Sequence, residues 1–110
     1  MPSLVGSEMC IRDRTEYNIN ETEVLQRALD TYGSAPQIAM VFEEMSELQK
    51  ELCKYLRGRG SSEHIAEEIA DVEIMLDQMK MLFCCADDVR NERRRKVERL
   101  KERLGGDSDG

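Results

Sequence analysis

The sequence predicts an all-α domain, because apolar content is moderate and residues that break helices are scarce. The 110 residues contain two Pro and seven Gly, and most of the Gly lie near the ends of the chain. Apolar residues make up 40%, supplied mainly by Leu, Ile, Val and seven Met, while aromatic residues make up only 5%. A helical chain this short buries little surface alone, so we expect its core to be completed by oligomerisation.

Start and stop signals divide the chain into four predicted helices. Their approximate ranges are 20–32, 37–56, 62–84 and 86–104. Gly33 ends the first helix, and Pro36 suits the first turn of the second. Ser61 or Ser62 is placed to cap the third helix. The ranges predict a bundle of four helices joined by short turns.

The two ends of the chain do not share this pattern. Residues 1–14, MPSLVGSEMCIRDR, lack the basic start and the longer apolar stretch of a signal peptide. They look like translated sequencing-adapter sequence, and we interpret them as a non-native or disordered extension. We assign residues 15–104 to the domain and residues 105–110 to a disordered tail.

Charge is unevenly distributed along the chain. The net charge is -7, yet eight of the sixteen Lys and Arg lie between Arg90 and Arg103. This basic segment is either a solvated helix with local ion pairs or a source of cations for substrate phosphates. A salt-sensitive contact with nucleic acid is a third interpretation, which the acidic remainder of the chain disfavours.

Cysteine and hydropathy patterns exclude two further classes. The four Cys form no CxxC motif and His64 is the only His, which argues against a zinc site. Reduced thiols in a cytoplasmic protein are the simpler interpretation. The apolar runs are too short to cross a membrane.

Two acidic pairs with i,i+3 spacing occupy the second and third predicted helices. They are Glu44 with Glu47, and Glu68 with Asp71. The apolar stripes of these helices are Val41, Met45, Leu48 and Leu52, and Ile65, Ile69, Val72 and Leu76. Each pair lies about 60° and 120° from its stripe, on the same flank. If the helices pack stripe to stripe, four carboxylates converge, a ligand set that suits Mg²⁺ or Mn²⁺.

The alternative is that these carboxylates are simply solvated. Charged residues border the apolar stripe of any amphipathic helix, and 35% of this chain is charged. Spacing alone therefore leaves both interpretations open.

The order ExxE, a turn and then ExxD resembles the MazG-type all-α nucleoside triphosphate pyrophosphohydrolases. The local sequences EEMSEL and EEIADVEIML are similar to those of the family as well, and Gln37 fits the segment that usually precedes the first motif. Residues 96–100, KVERL, resemble the last helix of the smaller, prophage-like members. The resemblance covers roughly residues 20–104.

The resemblance implies a four-helix MazG-like fold and Mg²⁺-dependent hydrolysis of (d)NTPs to nucleoside monophosphate and pyrophosphate. By position, the implied metal ligands are Glu44, Glu47, Glu68 and Asp71. Glu47 is the preferred activator of water, with Glu44 as the second catalytic carboxylate. The implied phosphate contact is Lys96. Gln37 and Lys54 are further candidates for the nucleotide pocket, with core or surface roles as the alternative.

The family also implies a homodimer or homotetramer and a house-cleaning role in the nucleotide pool. The alternative function is a catalytically weak helical module that binds a nucleotide or a protein partner. Loss of one carboxylate should distinguish them, because an enzyme would lose turnover far more than it loses folding.

Overall fold

The computed structural model of the protein describes residues 19–109, with side chains from residue 20 to residue 105. Four helices fill this range: α1 (Ile19–Tyr32), α2 (Ser34–Leu56), α3 (Ser62–Leu82) and α4 (Ala86–Asp109). No strand occurs among the described residues. The prediction of an all-α protein with four helices is confirmed, while the proposed extension at residues 1–14 lies outside the described range.

Local sequence signals explain where the first three helices meet. Gly33 adopts a φ of 89°, which lets α1 and α2 join through a single residue. Ser61 caps α3 as predicted, since its Oγ accepts a hydrogen bond from the backbone N–H of His64 at 3.2 Å. Gly58 and Gly60, both at a φ of 78°, turn the chain between α2 and α3.

The boundaries around α4 differ from the prediction. α3 ends at Leu82, before the predicted Cys84, because Cys84 takes a φ of 49° that a right-handed helix excludes. α4 continues past its predicted end at Leu104 to Asp109, since the Gly residues there weaken a helix without stopping it as Pro would. The disorder of residues 105–110 stays a prediction.

The cysteines are not all reduced in this structure. Cys84 is disulfide-bonded, whereas Cys53 and Cys85 are free thiols. The expectation of reduced thiols is therefore wrong for Cys84. The expectation that all thiols are reduced was one argument for a cytoplasmic location, and the state of Cys84 removes it.

The α2–α3 hairpin is the main packing unit of the described chain, and α1 lies against both of its helices. Leu25 and Leu29 of α1 form a small cluster with Met81, and Leu82 packs against it. Inside the hairpin, buried Gln37 donates a 2.7 Å hydrogen bond from Nε2 to Oε1 of buried Gln78. The antiparallel pair is thus joined by a polar contact within its interior.

The face that α2 and α3 bury includes only one edge of the predicted apolar stripes. Four stripe residues stay 39–43% exposed, namely Met45, Leu52, Ile69 and Leu76. Gln37, Glu51 and Gln78 are buried instead. The seam lies toward the acidic flank, because paired amides and the aliphatic stems of Glu can be buried there. Val41 of the stripes is buried as well, and Leu48, Ile65 and Val72 are half-buried, so the two helices meet along one edge of their stripes.

α4 lies largely apart from the other helices, and α3 is its main neighbour. Its apolar residues Val89, Val97, Leu100 and Leu104 are 41–62% exposed. The radius of gyration is 17.3 Å, against about 13 Å for a compact domain of about 100 residues. Across the described residues, every helix is too short or too polar to traverse a bilayer.

The Gln37–Gln78 pair can be tested by replacing one amide or both. Gln78→Met leaves the Gln37 amide buried without a partner, so we expect a loss of about 1–3 kcal/mol in the free energy of unfolding. The double variant Gln37→Met/Gln78→Met should recover much of that loss, because no orphaned amide remains. Urea titration measures both values.

Gln49→Met serves as the control, since Gln49 is exposed on α2, the helix that carries Gln37. Its unfolding free energy should stay within about 0.5 kcal/mol of the unmodified protein. A double variant no more stable than Gln78→Met would contradict the importance of this pairing.

Candidate metal centre

Three of the four predicted metal ligands converge. Glu44 of α2 and both Glu68 and Asp71 of α3 each offer a carboxylate oxygen, and the three atoms lie within 4.8 Å of one another. Oxygens on opposite sides of one Mg²⁺ lie about 4.2 Å apart, twice the usual bond length. Small side-chain rotations would therefore bring this triad into coordinating distance of one ion.

The register of the hairpin produces this convergence. Gln37 faces Gln78, and Glu44 follows Gln37 by seven residues while Asp71 precedes Gln78 by seven. Seven residues are nearly two helical turns, so the same faces meet again at the level of Glu44 and Asp71. The triad is thus a consequence of the buried amide pair two turns away.

Like charge and burial raise the pKa of two cluster residues. Burial is the largest cause at Glu44, followed by the negative charges of Asp71, Glu68 and Glu43, and a hydrogen bond with Asp71 adds to the effect. The pKa of Glu68 is raised by burial and then by four neighbouring carboxylates: Asp71, Glu47, Glu51 and Glu67. The cluster thus favours uptake of positive charge, as a proton or a cation.

One carboxylate oxygen of the triad residues has no hydrogen-bond partner. Oε2 of Glu68 is buried and unpaired, and so is Oε1 of Glu51, one turn beyond Glu47 on α2. A buried oxygen of an ionised carboxylate is costly without a donor or a cation. The donor set is all oxygen, which matches the preference of Mg²⁺ and Mn²⁺. The residues present therefore fit a hard divalent ion.

The other predicted site residues occupy different surroundings. Glu47 is exposed beside the triad, near enough for its charge to act on Glu68. The side chain of Gln37 is hydrogen-bonded to Gln78, and Nζ of Lys54 forms an ion pair with Oε2 of Glu51 at 3.0 Å. Lys96 is exposed on α4, in a groove lined only by residues of the range 85–100. The roles of Gln37, Lys54 and Lys96 in nucleotide binding stay predictions.

Glu51 is the residue that the acidic motif did not indicate. It lies seven residues after Glu44, and a search for charged residues in phase with the motif would have found it. Its 9% exposure is unusual for a carboxylate, and periodicity among apolar residues carries no sign of it.

Part of the basic charge of α4 is used in local ion pairs. Arg90 contacts Asp87 at 2.7 Å, and Arg95 pairs with Glu92 in the same i,i+3 arrangement. The pairing with Arg95 lowers the pKa of Glu92. These two contacts agree with the interpretation of the basic segment as a solvated helix with local ion pairs.

Comparison with known proteins yields no relative. No family model matches the chain, and neither a curated protein nor a solved structure matches it significantly. The family resemblance therefore rests on the motif residues, and the activity is a matter for proposal.

The acidic cluster should make stability depend on pH in a specific direction. The pKa of Glu68 is raised above its ordinary value of 4.5, so the unfolded chain loses this proton first as the pH rises. The folded state then holds more protons, and stability falls from about pH 4.5 until the pH exceeds the folded pKa. Glu68→Gln in EDTA should therefore gain more stability over the unmodified protein at pH 7 than at pH 4.

Urea titrations at both pH values measure this difference. Glu73→Gln is the control, because Glu73 is exposed on the same helix and is not among the charges acting on Glu68. Equal gains for Glu68→Gln at pH 4 and pH 7 would contradict the cluster's electrostatics. Added Mg²⁺ should reduce the stability difference between Glu68→Gln and the unmodified protein at pH 7, because it stabilises the unmodified protein by binding to it.

Proposed function

We propose that this protein is a Mg²⁺-dependent pyrophosphohydrolase that converts (d)NTPs to nucleoside monophosphate and pyrophosphate. The observation that carries the proposal is the convergence of Glu44, Glu68 and Asp71 from two helices. The unpaired buried oxygen of Glu68 adds to it. The ExxE and ExxD motifs that supply these residues resemble those of the MazG type.

Four carboxylates would hold the ion: Glu44, Glu68 and Asp71 of the triad, with Glu47 at its edge. Mg²⁺ bound there, or Mn²⁺ in its place, would neutralise the triphosphate and stabilise the charge that develops as the bond breaks. A bound cation would also offset the negative charge of the cluster, which by itself repels phosphate.

Hydrolysis requires a base beside the ion. The oxygen of a water molecule forms a bond to the α-phosphorus, and the bond from that phosphorus to the oxygen bridging to the β-phosphate breaks. Pyrophosphate leaves with the bonding electron pair, and the proton of the water passes to a carboxylate. Glu47 suits this role because it is exposed beside the cluster. Glu44, which the resemblance makes the second catalytic carboxylate, lies in the triad and would act there as an ionised ligand.

Lys96 can contribute to this chemistry only if association with a second subunit places it beside the acidic cluster. In the single chain it lies in a groove of α4 that contains none of the acidic residues of the centre. A homodimer or homotetramer would supply that approach and would cover the exposed apolar residues of α2, α3 and α4. Lys96 would then reach phosphate, with Gln37 and Lys54 near the nucleotide.

The same exposed apolar surface favours a second candidate function. A helical module that binds a nucleotide or a protein partner, with weak or no turnover, also needs such a surface. The first function is a house-cleaning activity and the second is binding alone, and product analysis separates them.

The enzyme is tested by incubating the protein with Mg²⁺ and each of the eight natural (d)NTPs or dUTP. We expect monophosphate and pyrophosphate, with no product in EDTA. Glu68→Gln should lower kcat/KM at least about 100-fold, since metal ions supply several kcal/mol of transition-state stabilisation. Glu67→Gln, a charge change at the adjacent exposed residue, should retain activity.

Other products or none would refute the proposal in distinguishable ways. Inorganic phosphate with a nucleoside diphosphate would mean that a different bond is cut. No turnover from a folded protein that binds Mg²⁺ and nucleotide would instead support the binding module.

The assembly is tested by light scattering coupled to size-exclusion chromatography. Leu100→Lys places a charge on the exposed apolar side of α4, and we expect it to shift the protein from dimer or tetramer toward monomer. Asn91→Lys adds the same charge on the polar side of α4 and should leave the assembly unchanged. A monomer at all concentrations before any substitution would contradict the proposed oligomer.

A further inference from the structure

We propose that α4 of each copy docks on the α2–α3 hairpin of a second copy, in a reciprocal exchange that covers both surfaces. The proposal rests on the oligomer of the proposed function and names the two surfaces that form it. It does not depend on catalysis.

The α2–α3 hairpin leaves one apolar face uncovered. Its helices meet along one edge of each apolar stripe, and the two remaining edges lie on the same side, because the helices are antiparallel and their stripes match in phase. Apolar faces of this kind mark interaction sites. The hairpin face consists of six residues that are 39–84% exposed, namely Phe42, Met45, Leu52, Leu56, Ile69 and Leu76.

α4 carries a second uncovered apolar face. Val89, Val97 and Leu100 line one groove along this helix, and Leu104 continues it. Arg93 and Lys96 line the same groove, and among the described residues neither of them takes part in an ion pair. The α4 face, formed by these six residues, therefore offers apolar surface together with cations that await a partner.

The two faces complement each other in charge and in length. α2 and α3 together carry ten Asp and Glu against three Lys, whereas residues 90–103 carry eight Lys and Arg against three Glu. α4 has 24 residues and α2 has 23, so both helices are about 35 Å long. α4 can thus lie along the whole hairpin, with apolar residues in contact and opposite charges at the border.

The connection between α3 and α4 directs α4 away from its own hairpin. It has only three residues, 83–85, and the backbone N–H groups of Cys84 and Cys85 donate to the carbonyls of Met81 and Lys80 at 3.2 and 3.0 Å. A second copy meets no such restriction. Two-fold symmetry then brings each α4 to the hairpin of the other copy, which closes the pair. A nucleic acid or an anionic membrane would bind the cations of α4 but would leave the hairpin face bare.

Mixing two variants tests the exchange. Val97→Lys/Leu100→Lys alters the α4 face, and Leu52→Lys/Leu56→Lys alters the hairpin face. Each variant alone should raise the dissociation constant of the pair at least about 100-fold, because charges enter an apolar contact and, on the hairpin, oppose the basic α4. A mixture keeps one complete contact, so mixed pairs should form at least about tenfold more tightly than pairs of either variant. Light scattering coupled to size-exclusion chromatography measures the masses.

Two matched controls add Lys outside the faces. Asn91→Lys alters the polar side of α4, and Ala39→Lys alters an exposed position about 140° around α2 from Leu52. Both should leave the assembly unchanged. A contact between two α4 helices would leave the hairpin variant paired, and a contact between two hairpins would leave the α4 variant paired. Either result, or two monomeric variants that stay monomeric on mixing, would overturn the proposal.

Cross-linking provides a measurement that needs no disruptive variant. A photo-cross-linking residue replaces Val97, and chains with and without ¹⁵N are mixed before illumination. Mass spectrometry should find peptides of α4 from one chain linked to peptides of α2 or α3 from the other. Links between two α4 helices, or links within single chains alone, would overturn the exchange even if a lysine variant fails to fold, which circular dichroism melting detects.

These outcomes are independent of the enzyme proposal. Mixed pairs and cross-links between α4 and the partner's hairpin establish the exchange whether or not any nucleotide is hydrolysed. Release of pyrophosphate by a protein that assembles through α4 alone would instead retain the enzyme and overturn the exchange.

Discussion

The buried hydrogen bond between Gln37 and Gln78 is the constraint on which the rest of the structure depends. It lies in the seam between α2 and α3, where an unpaired amide would be costly. A slip of the helices past each other would break it and would move every opposing pair. The register that satisfies the two amides is also the register that brings Glu44 level with Asp71. Specific packing and the acidic centre therefore have one cause.

Polar groups along this seam are satisfied unequally. At one end the amides satisfy each other, whereas at the other end two carboxylate oxygens are buried without donors. A protein interior seldom tolerates such groups unless a ligand uses them. The side chains of the hairpin thus complete their own bonding at one end and leave two buried oxygens without donors at the other. The end without donors is the one with the motif residues.

Much of the helical architecture follows from local signals. Gly33, Pro36 and Ser61 indicate helix ends because their backbone preferences act within one turn, whatever the tertiary contacts. The buried face was less predictable, since apolar periodicity overlooks amides and carboxylates that pack by pairing. It left Met45 and Ile69 as expected core residues, although both are substantially exposed.

The site was predictable to the extent that one hairpin builds it. The motif spacing predicted Glu44, Glu68 and Asp71 because both helices present equivalent faces. Glu51 was not indicated, since burial depends on the facing helix and acidic residues are common here. The surroundings of Lys96 could not be predicted either, because local sequence does not determine which surface α4 meets.

The isolation of α4 has a consequence for how the chain opens. A helix that makes few contacts with its neighbours shares little free energy with them. Its amide protons should exchange with solvent through local opening, well before those of α2 and α3, which exchange only when the hairpin itself comes apart. In a single chain, α4 and the α2–α3 hairpin would therefore behave as separate cooperative units.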